Sequence, residues 1–569
     1  MGFELLQNYK SIIVDYSFIR KFGGTRYLAE LLDLVTTEHK DVYVSKSFKL
    51  LHYCVIHQAD EMTASAADAM RKFCSMLLPD KLLHSVQVTE TTAFLAKMSL
   101  LPDGCLVMAS SGLLMSRIRE KKPVFLGDIL VIDEDGSMNI YHGVDELISS
   151  VKDVEISPLA TSDKYLDMPA YCNVGDTVMT GDGTRVVLEK RVSAGAEGMV
   201  FTTGDPKIVA KIYHRGIITP LRWKKLQTQV KMGINSLGIC WPQNLLFYKN
   251  VPVGYTMITG RGKTLGNVFD GPDALLNSFP ECTRLDIVST LSDLLEKYIY
   301  LHMFGIIAGD IQLKNALFYS VNNIYLIDMD SVQVGNLPCP VGTEEFTDPA
   351  LWGKNFSGFL RKLGDEDYSI AMLVFSLLFC GLHPYATRNG AETLREEILE
   401  KNFPYTFDGS LDDHIPKGGY NYIWQYLPEQ LKQMLYDTFH NGKKYEAIEW
   451  YEAVTAYKEA LSSSQYESPE AYKAFPMMDY VATDPHPIST PRFVSPVNTH
   501  AADMQTSPFK PMPSADKPAN SVGSQSPFAN RIYIGGPDDF KPKDSDKKND
   551  NSSSGNNEGG LLGLFKNRR

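Results

Sequence analysis

Over the first 150 residues, short apolar runs bounded by polar residues alternate with stretches of helical spacing. Ser11-Ile-Ile-Val-Asp15, Asp41-Val-Tyr-Val-Ser45, Cys105-Leu-Val-Met-Ala109 and Asp128-Ile-Leu-Val-Ile132 predict strands. Between them Arg26–Thr37, Ala64–Leu78 and Gly112–Glu120 place apolar residues at helical intervals. This order predicts a small α/β domain over 1–150 with a largely parallel sheet, followed by a linker over 151–172.

From 173 to 462 the pattern is strand-rich at first and helix-rich later. The longest apolar stretch, Ile370 to Leu382, is interrupted by Ser376 and Gly381. It is too short to cross about 30 Å of hydrocarbon, so it predicts a buried helix and no membrane partner. From 463 to 569 the chain is dense in Pro, Ser, Asn, Asp and Lys, with few aliphatic residues before Leu561-Leu-Gly-Leu-Phe565. Such a tail buries too little apolar surface to offset its chain entropy and is expected to be disordered. Ser495, Ser507 and Ser526 in it each precede Pro.

The 56 basic and 68 acidic residues leave a formal charge of −12, which argues against non-specific nucleic-acid or membrane-surface binding as the main work. Eight scattered cysteines, no two of them three apart, match neither a zinc site nor a dense disulfide framework. Free thiols in a reducing cytoplasm are the expectation. The opening MGFELLQNYKSIIVDYSF lacks a basic start followed by an apolar run, so no signal peptide is expected.

Candidate chemistry lies in an ordered series of short signals. Ser193-Ala-Gly195-Ala-Glu-Gly198-Met-Val200 predicts a turn whose backbone N–H groups could approach phosphate oxygens. Lys207-Ile-Val-Ala-Lys211-Ile-Tyr predicts a strand with a central lysine. In Gly309-Asp310-Ile-Gln-Leu-Lys-Asn315, after the helical stretch Leu285 to His302, an acid and an amide can share one site. The acid could accept a hydroxyl proton and the amide oxygen could hold a metal. Ile324-Tyr-Leu-Ile-Asp328-Met-Asp330 can pair with Ala316-Leu-Phe-Tyr319 through Val321–Asn323, returning Asp328 beside Asn315 as hard oxygen ligands suited to Mg²⁺.

Taken in order, these signals resemble the protein-kinase superfamily, and more narrowly a divergent bacterial branch with a Gly-Asp-x4-Asn catalytic loop. Trp241-Pro242, Val253-Gly-Tyr-Thr-Met257, Ile327-Asp-Met-Asp-Ser331, Cys339-Pro-Val-Gly-Thr-Glu-Glu-Phe346 and Leu382-His-Pro-Tyr385 also match that branch. The resemblance implies an α+β, two-lobed kinase-like fold, with a small lobe over about 173–262 and a large lobe over about 263–462. It implies ATP and Mg²⁺ as cofactors and a protein substrate phosphorylated on Ser or Thr, with a phosphatase as counterpart in bacterial signalling or stress response. Gly195, Gly198 and Val200 would lie over the nucleotide, Lys211 would meet the α/β-phosphates, and Met257 would lie in the stretch that contacts adenine. Asp310 would orient the incoming hydroxyl, and Asn315 and Asp328 would hold the metal. Ser369–Leu382 would be the buried pillar of the large lobe.

Four departures stand against that pattern. No acid occurs between Asp205 and Asp270, so the helix Pro220–Met232 has no carboxylate for Lys211, and Gln227 or Gln229 offers only a neutral acceptor. Gly309 stands where an arginine would read an activation-loop phosphate, and Gln312 where a lysine is usual. Asp348-Pro-Ala350 replaces Ala-Pro-Glu and loses a structural ion-pair carboxylate. A nucleotide-binding pseudokinase scaffold is therefore one alternative. Another is a nucleic-acid-associated factor using the ten Lys and Arg between Pro206 and Phe269, among them Arg222, Lys224 and Lys225 beside Trp223. Ser11–Phe18 loosely resembles the first strand of PIN-like nucleases, but Ser45-Lys-Ser47 and Ala109-Ser-Ser-Gly112 lack the acids such a site needs, implying a scaffold without nuclease chemistry.

Overall fold

The computed structural model describes residues 3–57, 61–101, 103–161, 165–166, 172–388 and 390–476. The expectations for Ser495, Ser507, Ser526 and the apolar 561–565 lie outside the described residues.

The N-terminal part runs β1 (Ser11–Val14), α1 (Tyr16–Phe22), α2 (Arg26–Thr37), β2 (Asp41–Ser45), α3 (Lys46–Ile56), α4 (Glu61–Leu77), β3 (Leu83–Val86), α5 (Thr91–Met98), β4 (Gly104–Ala109), α6 (Leu113–Lys121), β5 (Asp128–Ile132), β6 (Met138–His142) and α7 (Gly143–Ser150). The sheet order is β3-β2-β1-β4-β5-β6, with β6 alone antiparallel at its edge. The apolar strands are covered on both faces, as a parallel sheet requires. Ile12 and Val14 enter one core while Ile13 enters the other. The first of these cores is continuous with the helical core further along the chain.

Seven strands follow: β7 (Thr177–Thr180), β8 (Arg185–Val187), β9 (Arg191–Ala194), β10 (Gly198–Thr202), β11 (Ile208–Tyr213), β12 (Asn244–Tyr248) and β13 (Val251–Ile258), with α8 (Pro220–Met232) between β11 and β12. They form one antiparallel sheet, order β8-β7-β12-β13-β11-β10-β9, around its own core of Phe201, Ile212, Leu226, Leu246 and Tyr255. Next come β14 (Lys263–Thr264), α9 (Leu265–Val268), α10 (Pro272–Ser278), α11 (Arg284–Met303), β15 (Ile306–Ile307), β16 (Ala316–Ser320), β17 (Asn323–Leu326) and β18 (Gln333–Val334). The helical part ends with α12 (Leu363–Leu378), α13 (Leu394–Glu400), α14 (Tyr420–Tyr426), α15 (Glu429–Phe439) and α16 (Ala447–Ser462).

The buried helix expected over 369–382 starts earlier and ends earlier. Asp365 accepts from the Lys362 N–H at 2.8 Å and caps α12, so its acids open the helix instead of preceding it. It ends before Cys380 and Gly381, both at positive φ. The packed chain also runs on past 463 to Pro476. Phe475 is buried, and Arg284 bridges the Leu378 carbonyl at 2.7 Å and the Ala474 carbonyl at 2.5 Å. No helix among the described residues is long and apolar enough to cross a membrane.

Two histidines, the buried His52 and the partly buried His383, are held neutral. Burial pushes His52 in α3 and His383 after α12 down to about 4 from the ordinary 6.5. The unfolded chain takes up these protons first as pH falls below 6.5, so stability is lost between 6.5 and 4. Each group is expected to cost about 2 kcal/mol at pH 5 relative to pH 7. Urea unfolding at the two pH values checks this, and His383→Gln should remove its share of the difference.

Candidate active site

The expected site residues other than Met257 come from separate elements into one cleft of about 340 Å³, lined by Gly195, Glu197, Gly198, Val200, Lys211, Asp310, Asn315, Asp328 and Asp330 among others. Met257 in β13 is buried, with Val209 opposite it and Ile327 in the same core.

The β9–β10 turn closes through Gly195 N–H to the Gly198 carbonyl at 2.8 Å. The two glycines are not equivalent. A Cβ on Gly198 would lie 2.4 Å from the Ile212 carbonyl oxygen, so strand packing excludes a side chain there, whereas one on Gly195 would meet nothing closer than 3.9 Å. Lys211, opposite Val200 in β10 and Tyr255 in β13, is buried in the centre of the sheet.

The β16–β17 hairpin pairs Ala316 with Leu326, and Ile327 N–H donates to the Asn315 carbonyl at 3.0 Å, so Asp328 follows beside Asn315 as the pattern predicts. Asp328 holds φ 58°, a left-handed conformation that Asp tolerates better than most residues. Its carboxylate faces Lys211 Nζ at 3.3 Å.

Asp310 is oriented from several sides. Thr343 Oγ1 donates to its Oδ1 at 2.8 Å, and Gln312 Nε2 and Asn315 Nδ2 donate to its Oδ2 at 3.0 and 2.8 Å. Gln312 thus still contacts the acid, as a neutral donor. Thr343 had no assigned role in the sequence, although it lies in the quoted Cys339–Phe346 run. Behind Asp310, Glu366 accepts from Gly309 N–H and faces His302 Nε2 at 2.7 Å. Arg361 donates to the Gly309 carbonyl and, at 2.6 Å, to the Val341 carbonyl, while stacking on Phe356 at 4.2 Å. Gly309 therefore leaves room for a permanent arginine from elsewhere in the chain.

Two of the expected deficits are filled from other positions. Asp348 forms an ion pair with Lys444, so the Asp-Pro-Ala segment retains a structural carboxylate two residues earlier. Lys211 has a carboxylate partner as well, Asp330, at 2.7 Å. Gln229 is no partner of Lys211; its Nε2 donates to the Met329 carbonyl at 2.6 Å. On the same helix Arg222 forms a bidentate pair with Glu197 at 2.6 and 2.8 Å, and Lys225 is buried against the Ser331 and Pro338 carbonyls. Trp223 packs on Phe247. Arg222, Lys225 and Lys211 are thus committed inside the protein, while Lys224 is exposed.

The donor set fits a hydrated divalent cation held jointly by protein and phosphate oxygens. Asn315 uses its amide nitrogen on Asp310, which leaves the amide oxygen for another partner, and Asp328 is 37% exposed at the cleft. No group of three or more His, Cys, Asp or Glu is placed to hold a metal among the described residues, and Mg²⁺ sites built with phosphates do not require one.

No family model matches the chain. Over 249 residues, 41% of its length, it is 27% identical to the protein kinase YegI of Escherichia coli O157:H7, and over 248 residues it is equally identical to YegI of strain K12. Over that stretch the chain is kinase-like. It spans 38% of the length of these curated relatives. A solved structure, the ROP18 kinase domain in complex with AMP-PNP and sucrose, aligns with 51% of this chain and 87% of that one, at a TM-score of 0.34 and 12% identity.

In the N-terminal part, Asp15 caps α1 by accepting from Ser17 N–H at 2.9 Å, and burial pushes its carboxyl up. The small cavity beside it, about 40 Å³, is lined by Ser17, Ser45 and Thr89 from this part and by Met303, Glu446 and Ile448 from the helical part.

Proposed function

We propose that the chain is an ATP- and Mg²⁺-dependent protein kinase that transfers the γ-phosphoryl group to Ser or Thr hydroxyls of a protein partner. The observation that carries this reading is the meeting of Lys211, Asp310, Asn315 and Asp328 in one cleft beneath the Gly195–Gly198 turn. The sheet around Lys211 would be the small lobe and the helices from α11 onward the large lobe. Bound magnesium would neutralise charge on the transferred group. Lys211 would meet the α/β-phosphates, Asn315 and Asp328 would supply metal ligands, and Asp310 would accept the hydrogen bond of the incoming hydroxyl.

The donors around Asp310 suit that role. Thr343, Gln312 and Asn315 hold both carboxylate oxygens in place before any substrate arrives, so little reorganisation is left for the reaction itself. The serine/threonine type, a phosphatase counterpart, a bacterial signalling role and a cytoplasmic setting rest on the resemblance of the Gly-Asp-x4-Asn loop. A PIN-like N-terminal scaffold without nuclease chemistry is supported by the order β3-β2-β1-β4-β5 and by the helical part that lines the cavity at Asp15.

Phosphate transfer from radiolabelled ATP to a generic protein acceptor and to the chain itself tests the proposal. Asp310→Asn is expected to lower transfer by about 10²- to 10⁴-fold, and Asp328→Asn to abolish its Mg²⁺ dependence along with the signal. Equal transfer by wild type and both variants would refute the reading. Retained ATP binding with no transfer by the wild type would favour the scaffold.

A further inference from the structure

We infer that Asp330 is the residue that positions Lys211, taking over the task that an acid on α8 would perform, and that it thereby keeps Asp328 available for the metal. The inference rests on the kinase reading of the cleft and names a role for a residue that reading does not use.

The geometry is specific. Asp330 is 1% exposed and lies behind the cleft, with Oδ1 accepting from Lys211 Nζ at 2.7 Å and from the Tyr255 hydroxyl at 2.8 Å. Its Oδ2 accepts from the Tyr213 hydroxyl at 2.5 Å, and Arg222 stands 3.9 Å away. Tyr213 shares β11 with Lys211, and Tyr255 lies opposite Lys211 in β13. Lysine, acid and both hydroxyls are therefore fixed by one sheet and the turn that follows Asp328.

Lys211 stands between two carboxylates, the buried Asp330 and the half-exposed Asp328 at 3.3 Å. A buried lysine that lost the first would turn to the second, because an unpaired charge in that position is costly. The lysine would then compete with a cation for Asp328.

Helix α8 has the opposite polarity from an acid-bearing helix. It reaches the glycine turn through Arg222 and Glu197, and it reaches the Asp328–Ser331 turn through Gln229 and Lys225, donating in every case. The sequence holds the matching signal: a second acid two residues after Asp328, in a chain with none from 206 to 269.

Isothermal titration of ATP at a series of Mg²⁺ concentrations tests the inference. Asp330→Asn is expected to raise the half-saturating Mg²⁺ for ATP binding by about tenfold, the scale on which residues behind metal ligands act. In a Lys211→Met background the same substitution should change nothing further, because there is no lysine left to redirect. An unchanged Mg²⁺ requirement, or an equal shift in both backgrounds, would overturn the inference. Should Asp330→Asn fail to fold, the Tyr213→Phe, Tyr255→Phe pair decides: removing two donors from Asp330 while keeping its charge should move the Mg²⁺ requirement in the same direction by a smaller factor, and no movement overturns the idea. Parallel transfer assays separate the two levels. A wild type that binds ATP with Mg²⁺ but transfers nothing defeats the kinase reading and leaves the positioning role standing.

Discussion

Replacing Arg117 by alanine is expected to destabilise the protein by about 3–5 kcal/mol, the range for removing one partner of a buried ion pair. Arg117 on α6 is 1% exposed and forms a bidentate pair with Asp367 on α12, both contacts at 2.7 Å. Glu446 lies 3.8 Å from its Nε and Glu120 3.6 Å from its Nη1. Burial pushes the Asp367 carboxyl up, and the guanidinium opposes that shift. Without Arg117 the acid must either stay charged and unpaired or take up a proton, and both cost stability. Arg117→Lys should recover little, since an ammonium cannot reproduce the two parallel hydrogen bonds. Arg117→Met with Asp367→Leu should recover much of the loss, because the pair then disappears together. Urea unfolding of the four proteins at pH 7 gives the comparison. A loss below about 1 kcal/mol for Arg117→Ala would show that the pair contributes no more than a surface ion pair does.

The consequence reaches the candidate site. Asp367 follows Glu366, the residue that accepts from Gly309 N–H next to Asp310. An arginine from the N-terminal part is therefore anchored one residue from the clamp on the Gly309–Asp310 loop. The same interface holds Lys121 against Glu446 at 2.6 Å and His57 against Glu296 at 3.0 Å. One continuous core joins the two parts, so the first 150 residues serve as a structural buttress of the helical part.

How much of this was legible in sequence depended on whether the signal was local. The hairpin that returns Asp328 to Asn315 follows from two apolar runs and a short turn, and the lysine strand follows from the apolar run on either side of Lys211. The strands and helices of the first 150 residues were legible where burial was two-sided, as in β1 and β4, whereas β3 (Leu-His-Ser-Val) and β6 (Met-Asn-Ile-Tyr-His) carry too few apolar residues to announce themselves. Partners distant in sequence were not legible. Asp330 reads as a turn acid until β11 and β13 bring two tyrosines to it. Glu366 and Asp367 read as polar residues preceding a helix, yet both are buried because His302, Gly309 and Arg117 reach them from elsewhere. The lost Ala-Pro-Glu acid was misjudged for the same reason: only the fold shows that Asp348 finds Lys444.

Gly309→Ala should lower transfer by at least about 10²-fold while leaving ATP affinity within a few-fold of wild type. Gly309 holds φ 76°, where a residue with a Cβ costs about 1–2 kcal/mol. The added atom would also fall 2.4 Å from Arg361 Nη1 and 2.6 Å from Cys339 Sγ. Neither neighbour has room to retreat: the guanidinium is buried on Phe356 and donates to the Val341 carbonyl, and Cys339 is buried against the Ala308 carbonyl at 3.6 Å. The strain must pass into the loop and displace Asp310 from Thr343 and Asn315. A shift of about 1 Å in a reacting group is enough for a 10²-fold loss. Lys211 and Asp328 hang from other strands, so nucleotide binding should be spared. Gly305→Ala is the matched control, since Gly305 holds a similar φ of 69° but has nothing within 4 Å of its Cβ position. If both variants lose activity equally, backbone conformation alone is responsible; if only Gly309→Ala does, the arginine lodged in the space of the missing side chain is what holds Asp310 in register.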